Sequence, residues 1–232
     1  MNNPGSNDGV TRRFALELGQ EVRLPLASLR TGTDLLAELA REAEIPAEWS
    51  RVLRMVQRGS DRLTDVADNL FALVDLIDIK TGRRRSASTP IRVGNLVEEA
   101  VSRHSRRTES LSGRIVDRTA DEWWECEPTY MERAVYLVIG VALSRSNSGR
   151  QVVVNSVSSP NGSSVVIQDG GPPMEDSRWP GLTDISLPEG EGGEGHALAL
   201  TVARMSAEAH DGSLGFRNMS DGVAWRITLP KR

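Results

Sequence analysis

Phe14–Leu29, FALELGQEVRLPLASL, opens a run in which apolar side chains return every three or four residues: Leu18, Val22, Leu26, Leu29, Thr33, Leu36 and Ala40. That period places them on one stripe of a long helix. Pro25 sits inside the stripe, where a kink is expected. A break at EAEIPAEW carries Pro46 at a helix start, and a second periodic run follows through Val52, Val56, Leu63, Val66, Leu70, Leu73 and Ile77. The pattern predicts a helical hairpin over residues 10–80. Two long helices bury one face against each other and leave apolar positions over, so the hairpin is expected to pair with a second copy into a four-helix bundle.

Residues 81–90, with the run KTGRRRSASTP closing on Pro90, are polar and basic and read as a linker. The pattern then changes for residues 91–232. PIRVGNLVEEAVSRHS predicts a short strand entering a helix, GRIVDRTA and EWWECE predict strands, and PTYMERAVYLVIGVALSRS predicts a helix so apolar that it must be buried. RQVVVNSVS and SSVVIQD follow as a strand hairpin, then a Gly/Pro-rich stretch from Gly170 to Gly195, a helix near His196–Ala209, and closing strands GSLGF and VAWRITLP. The fold class is α+β: a helical hairpin followed by an α/β sandwich with helices on one face of a mixed sheet. No internal repeat is present.

The chain has 232 residues, 28 Lys plus Arg against 32 Asp plus Glu, and a net charge of −4. Charges of both signs are spread throughout, and the run Arg83–Arg85 reads as a solvated linker, so a nucleic-acid partner is not expected. The single cysteine, Cys126, cannot form an internal disulfide, lacks metal-spaced neighbours and is expected to be a small half-buried residue. That usage fits a reducing cytoplasm. No window reaches the length of a membrane span, and residues 1–9, MNNPGSNDG, have neither the charge nor the apolar stretch of a signal peptide. They read as a disordered start. No sensor domain is evident, so the input signal is expected to come from another protein.

These features together resemble the core of the sensor histidine kinases of bacterial two-component systems, from about Phe14 to Pro230. GQEVRLPLASL is similar to the first-helix motif Ser-His-Glu-Leu-Arg-Thr-Pro-Leu, with Glu21, Arg23, Pro25 and Leu26 in place. RLTDVADNLFALVDL resembles the second hairpin helix. VVIQDGGPP resembles the first glycine box of a GHKL, or Bergerat-type, ATP-binding domain, with Asp169 and Gly171 matching and Pro173 in place of the second glycine. GEGHALALTVARMSAEAHDGSLGF resembles the second glycine box, with Gly193 and Gly195 matching and Ala197 departing.

The resemblance implies chemistry that these residues do not carry. Phosphoryl transfer to histidine needs an imidazole nitrogen with a free lone pair, oriented by a neighbouring carboxylate. Gln20 stands in that place and its amide lone pair is delocalised, so Glu21 has nothing to orient. Leu24 replaces the residue that would hold a phosphatase water, and leucine forms no hydrogen bond. In the buried helix, Val141 stands at the position of the Mg²⁺-binding Asn, and an aliphatic side chain cannot ligate magnesium; Asn147 and Asn155 are poorly placed to substitute. Mg²⁺ binding is therefore not expected. Asp169 could still accept an adenine amine and the glycines Gly171, Gly193 and Gly195 could still offer N–H groups to phosphate, leaving a vestigial ATP site. Glu175, Asp176, Asp184, Glu189, Glu191 and Glu194 make the stretch between the boxes acidic and repulsive to a triphosphate. Among the histidines, His104 reads as a surface residue, His196 as a helix-start residue, and His210 as a cation suited to a helix end.

The resulting expectation is a degenerate histidine-kinase-like homodimer without catalytic residues of its own. It would bind a response-regulator receiver domain or a partner kinase through Gln20, Glu21, Arg23, Leu24 and Arg30. The alternatives are an ATP-dependent enzyme that phosphorylates itself elsewhere, or a phosphotransferase shuttle, which the absence of a hairpin histidine opposes.

Overall fold

A computed structural model describes residues 22, 24–40, 42–43, 46–107, 114–146, 150–183 and 196–231. The chain divides into two compact units, Met1–Asp75 and Leu76–Arg232. The first is a helical hairpin of α1, over 24–40, and α2, Ala47–Lys80, whose last turn enters the second unit. Pro46 stands just before α2, where its missing N–H is no loss, and its carbonyl accepts bonds from the backbone N–H of Trp49 (3.0 Å) and Ser50 (3.3 Å).

Small and polar side chains fill the hairpin: Thr33, Ser60 and Ala67 are buried. The large members of the two stripes are the ones left over. Leu29, Leu36, Val52, Val56, Leu63, Val66 and Leu70 are each at least 41% exposed in the single chain.

The second unit is a two-layer sandwich. Its strands are β1 (Thr89–Arg92), β2 (Ile115–Arg118), β3 (Trp123–Cys126), β4 (Val152–Ser159), β5 (Gly162–Asp169), β6 (Ser213–Met219) and β7 (Gly222–Pro230). Five of them form one sheet in the order β2-β4-β5-β7-β6, with β2 parallel to β4 and the other pairs antiparallel, while β1 and β3 pair separately. Its helices are α3 (Val93–Arg107), α4 (Pro128–Arg145), α5 (Trp179–Thr183) and α6 (Ala197–Glu208). α4 and α6 lie on the sheet and α3 packs on α4. Pro128 opens α4, and its run of Val135, Leu137, Val138, Ile139, Val141 and Leu143 is buried, as its composition predicts. Alternation along the strands sends Val165, Ile167, Asp169, Val223, Trp225 and Ile227 toward the helices.

Each strand and long helix expected of 91–232 is present. The Gly/Pro-rich stretch holds two elements that its composition hides: a 3-10 turn at Asp176–Arg178 and the short α5. Packing holds α5 in place of propensity, since the Trp179 ring lies 5.1 Å from Phe216 and 6.3 Å from Trp225. The linker is also tied down. Arg84 donates to the Tyr130 hydroxyl (2.6 Å) and to Glu127 (3.1 Å), and the Ser86 hydroxyl (3.2 Å) and the Ala87 N–H (3.2 Å) donate to the same carboxylate.

Three expectations about single residues are corrected. His104 is buried, not on the surface: its Nε2–H donates to the Tyr136 carbonyl (2.9 Å) and its ring stacks on Tyr136 at 4.2 Å. His210 is buried and neutral, because Nε2 accepts the Glu127 backbone N–H (2.9 Å) and must keep its lone pair, leaving Nδ1–H to donate to the Ser206 carbonyl (2.7 Å). Cys126 is wholly buried, and that burial pushes its thiol up to about 12.

Two outcomes follow. His210→Ala strips partners from a half-buried N–H and a buried carbonyl and is expected to cost about 2–3 kcal/mol in urea unfolding. With a thiolate fraction on the order of one in ten thousand at pH 8, Cys126 is expected to resist iodoacetamide in the native protein and to react readily in denaturant.

Candidate functional site

The first glycine box lies where β5 ends against the end of α4 and the start of β7. Asp169 closes β5 with its side chain fully buried. Its Oδ2 accepts two donors, the Arg145 Nε–H at 3.1 Å and the Trp225 indole N–H at 2.7 Å. Its Oδ1 accepts the Gly171 N–H at 2.8 Å. The Arg145 side chain, itself 14% exposed, also donates through a second nitrogen to the Pro172 carbonyl, and its guanidinium carbon lies 5.7 Å from the Trp225 ring centre.

Glycines make this arrangement sterically possible at two points. A Cβ on Gly171 would stand 2.7 Å from the Arg145 carbonyl oxygen, and one on Gly222 would stand 1.7 Å from the Asp169 carbonyl oxygen. The neighbouring backbone is occupied as well. The Gly170 N–H donates to Ser146 Oγ (3.1 Å), and the Gly170 carbonyl accepts from Arg150 (3.2 Å). Beyond the box, the Asn218 side chain holds both backbone groups of Met174, accepting its N–H and donating to its carbonyl, each at 2.8 Å. Trp179, Phe216 and Trp225 pack against one another with tilted rings beside the pair.

Chemically this is a closed polar cluster. A carboxylate that meets a guanidinium, an indole N–H and a backbone amide out of solvent has its charge met within the protein, and Oδ1, with a single donor, keeps the remaining acceptor capacity. The two box amides, of Gly170 and Gly171, already have acceptors inside the protein. Val141 is buried on α4 and offers no metal ligand. By strand register Asn155 sits on the opposite side of the sheet from Asp169. Among the described residues no three His, Cys, Asp or Glu side chains gather as a metal site. His196 precedes α6, with Nε2 3.1 Å from Ser144 Oγ.

The hairpin residues fall partly outside this view. Gln20, Glu21, Arg23, Gly193 and Gly195 lie outside the described residues, as do Asp184, Glu189, Glu191, Glu194 and Asn147. Leu24 is 74% exposed. Arg30 is exposed on α1, 4.0 Å from Asp34 and 3.9 Å from Asp61 of α2. Glu175 and Asp176 are exposed.

With the geometry in place, comparison with known proteins is informative. The sensor protein kinase PmrB of Pseudomonas aeruginosa is 24% identical over 231 residues, covering 95% of this chain and 46% of its own length. Sensor protein QseC of Salmonella typhimurium is 25% identical over 225 residues, covering 92% of this chain and 47% of its own. Its homologues are sensor histidine kinases. This histidine-kinase relative spans about half the length of those curated proteins, and no protein-family profile matches it. In solved structures the fold recurs in the Acinetobacter baumannii histidine kinase AdeS, with a TM-score of 0.58 at 16% identity over 90% of this chain and 96% of that one. It recurs again in full-length ShkA in complex with AMPPNP, with a TM-score of 0.64 at 15% identity over 94% of this chain and 45% of that one. The order of helical hairpin and GHKL-type sandwich is thereby established. Among the described residues no helix is long and apolar enough to cross a membrane.

Arg145 and Trp225 were not singled out by the sequence. The signal available was a basic residue closing an otherwise apolar helix and a tryptophan inside an alternating strand, each of which has an ordinary packing explanation. If the cluster is structural, removing its acceptor leaves a largely buried guanidinium with only the Pro172 carbonyl and strands a buried indole N–H. Asp169→Ala is then expected to cost about 3–5 kcal/mol by chemical denaturation, whereas a carboxylate kept for a ligand would be lost with little effect on stability.

Proposed function

We propose that this histidine-kinase relative is catalytically degenerate and acts in two-component signalling by protein contact, as a homodimer that binds a receiver domain or a partner kinase. The observation that carries the reading is the engagement of both Asp169 oxygens by groups of the protein itself, Arg145, Trp225 and Gly171. In the kinases that this chain resembles, the corresponding Asp would face the adenine amine; here its acceptors are directed at the protein. Val141 supplies no magnesium ligand, and Gln20 supplies no nucleophile. Three separate requirements of phosphoryl transfer, base recognition, metal binding and phosphate acceptance, are thus unmet by the side chains present.

The hairpin supports the other half of the reading. Its exposed Leu36, Val52, Val56, Leu63 and Val66 form an apolar face too extensive for a solvated helix pair. A second copy covers it by the same residues under two-fold symmetry. Leu24 and Arg30 belong to the surface offered to a receiver, which docks without exchanging phosphate.

Three outcomes test this. The protein is expected to be a dimer by light scattering, and Val56→Glu to shift it toward monomer. Purified receiver domains from the same organism are expected to include one that binds the dimer, with Arg30→Glu weakening it about tenfold; an intact dimer that binds none of them contradicts the proposal. Gln20→His is expected to take up no label from radioactive ATP, and labelling of that variant would mean that the nucleotide site works.

A further inference from the structure

The sheet of the second unit has a face that the helices do not use. By register, Arg118, Asn155, Val166, Arg226 and Gly215 form one row across all five strands on that face. The next row holds Val116, Val153, Gln168, Ala224 and Arg217. Asn155, Val157, Val166, Arg217, Ala224 and Arg226 line a concavity of about 700 Å³ there. No side-chain hydrogen bond or ion pair engages Arg118, Arg217 or Arg226 among the described residues, and all three are exposed. The strand positions facing this side include no carboxylate, although the whole chain carries a net charge of −4. The positive charge is therefore local to this surface.

We propose that this face docks an acidic amphipathic helix of a partner protein, its carboxylates on Arg118, Arg217 and Arg226 and its apolar side on the exposed Val157 and Met219. Charge complementarity selects the acidic partner, and guanidinium groups match carboxylates in a planar, two-point way that lysines do not. The floor selects a helix. An extended strand would seek a sheet edge, whereas the face of a sheet packs against helices, and here a helix would complete a third layer. Spacing agrees: Arg118 and Arg226 are three strands apart, about 14 Å, or roughly two and a half helical turns. Nucleic acid fits less well, because Phe216 is the one aromatic residue among the described residues that line the concavity. The Trp225 ring is buried on the helix side, and the Phe216 ring packs against it and Trp179.

The test uses the whole chain and a fluorescein-labelled helical peptide with a leucine stripe flanked by glutamates, followed by anisotropy. Binding is expected, with perturbed amide resonances at Val157, Val166 and Ala224. The double variants Arg217→Ala/Arg226→Ala and Arg217→Glu/Arg226→Glu are expected to weaken it at least about tenfold with unchanged melting temperature. A lysine-flanked isomer is expected not to bind. The proposal is overturned if the glutamate peptide fails to bind, if both arginine variants bind it as the native chain does, or if single-stranded DNA occupies the same arginines more tightly than the peptide.

Discussion

A buried guanidinium–carboxylate pair is tolerated only when it is complete, because either charge alone in a desolvated site costs several kcal/mol. Arg145 and Asp169 meet that condition where a relative of the sensor histidine kinases would be expected to receive a nucleotide. Several neighbouring residues are arranged so as to keep the pair intact. Gly171 and Gly222 allow the backbone to close on it, Trp225 donates to the same oxygen as Arg145, and Trp179 brings α5 against the aromatic side. The chemistry of a phosphotransfer site requires the reverse arrangement, with acceptors and amides held ready and unfilled.

The hairpin shows a related displacement of roles. Among the described residues its buried side chains include Thr33, Ser60 and Ala67, small enough for α1 and α2 to approach, while Leu36, Val52, Val56 and Leu63 are exposed. In the proposed dimer, association would add to the stability that the hairpin draws from its own core. A chain that retained the shape of a kinase dimer and gave up its nucleotide would keep the surfaces by which such dimers meet other proteins.

Much of the architecture was legible in the sequence because it rests on period. Three- and four-residue spacing marks α1, α2, α3 and α6, and β-branched alternation marks β4, β5 and β7, independently of any tertiary detail. α5 was not legible, since Pro180 and Gly181 within it argue against a helix and only Trp179 packing on Phe216 and Trp225 secures it. His210 was misread for a similar reason: its place after α6 suggests a cation, but the backbone N–H of Glu127, remote in sequence, fixes the neutral ring. The candidate site divides in the same way. Asp169 and Gly171 announce themselves by motif, whereas Arg145, 24 residues upstream of Asp169, is recognisable as its partner only once α4 is laid against β5.

The central claim is that the protein's own groups fill the place of the base. Titration calorimetry of the full chain with ATP and Mg²⁺ tests it most directly. The account predicts no saturable heat at ligand concentrations up to the millimolar range; micromolar binding that requires Asp169 would contradict it.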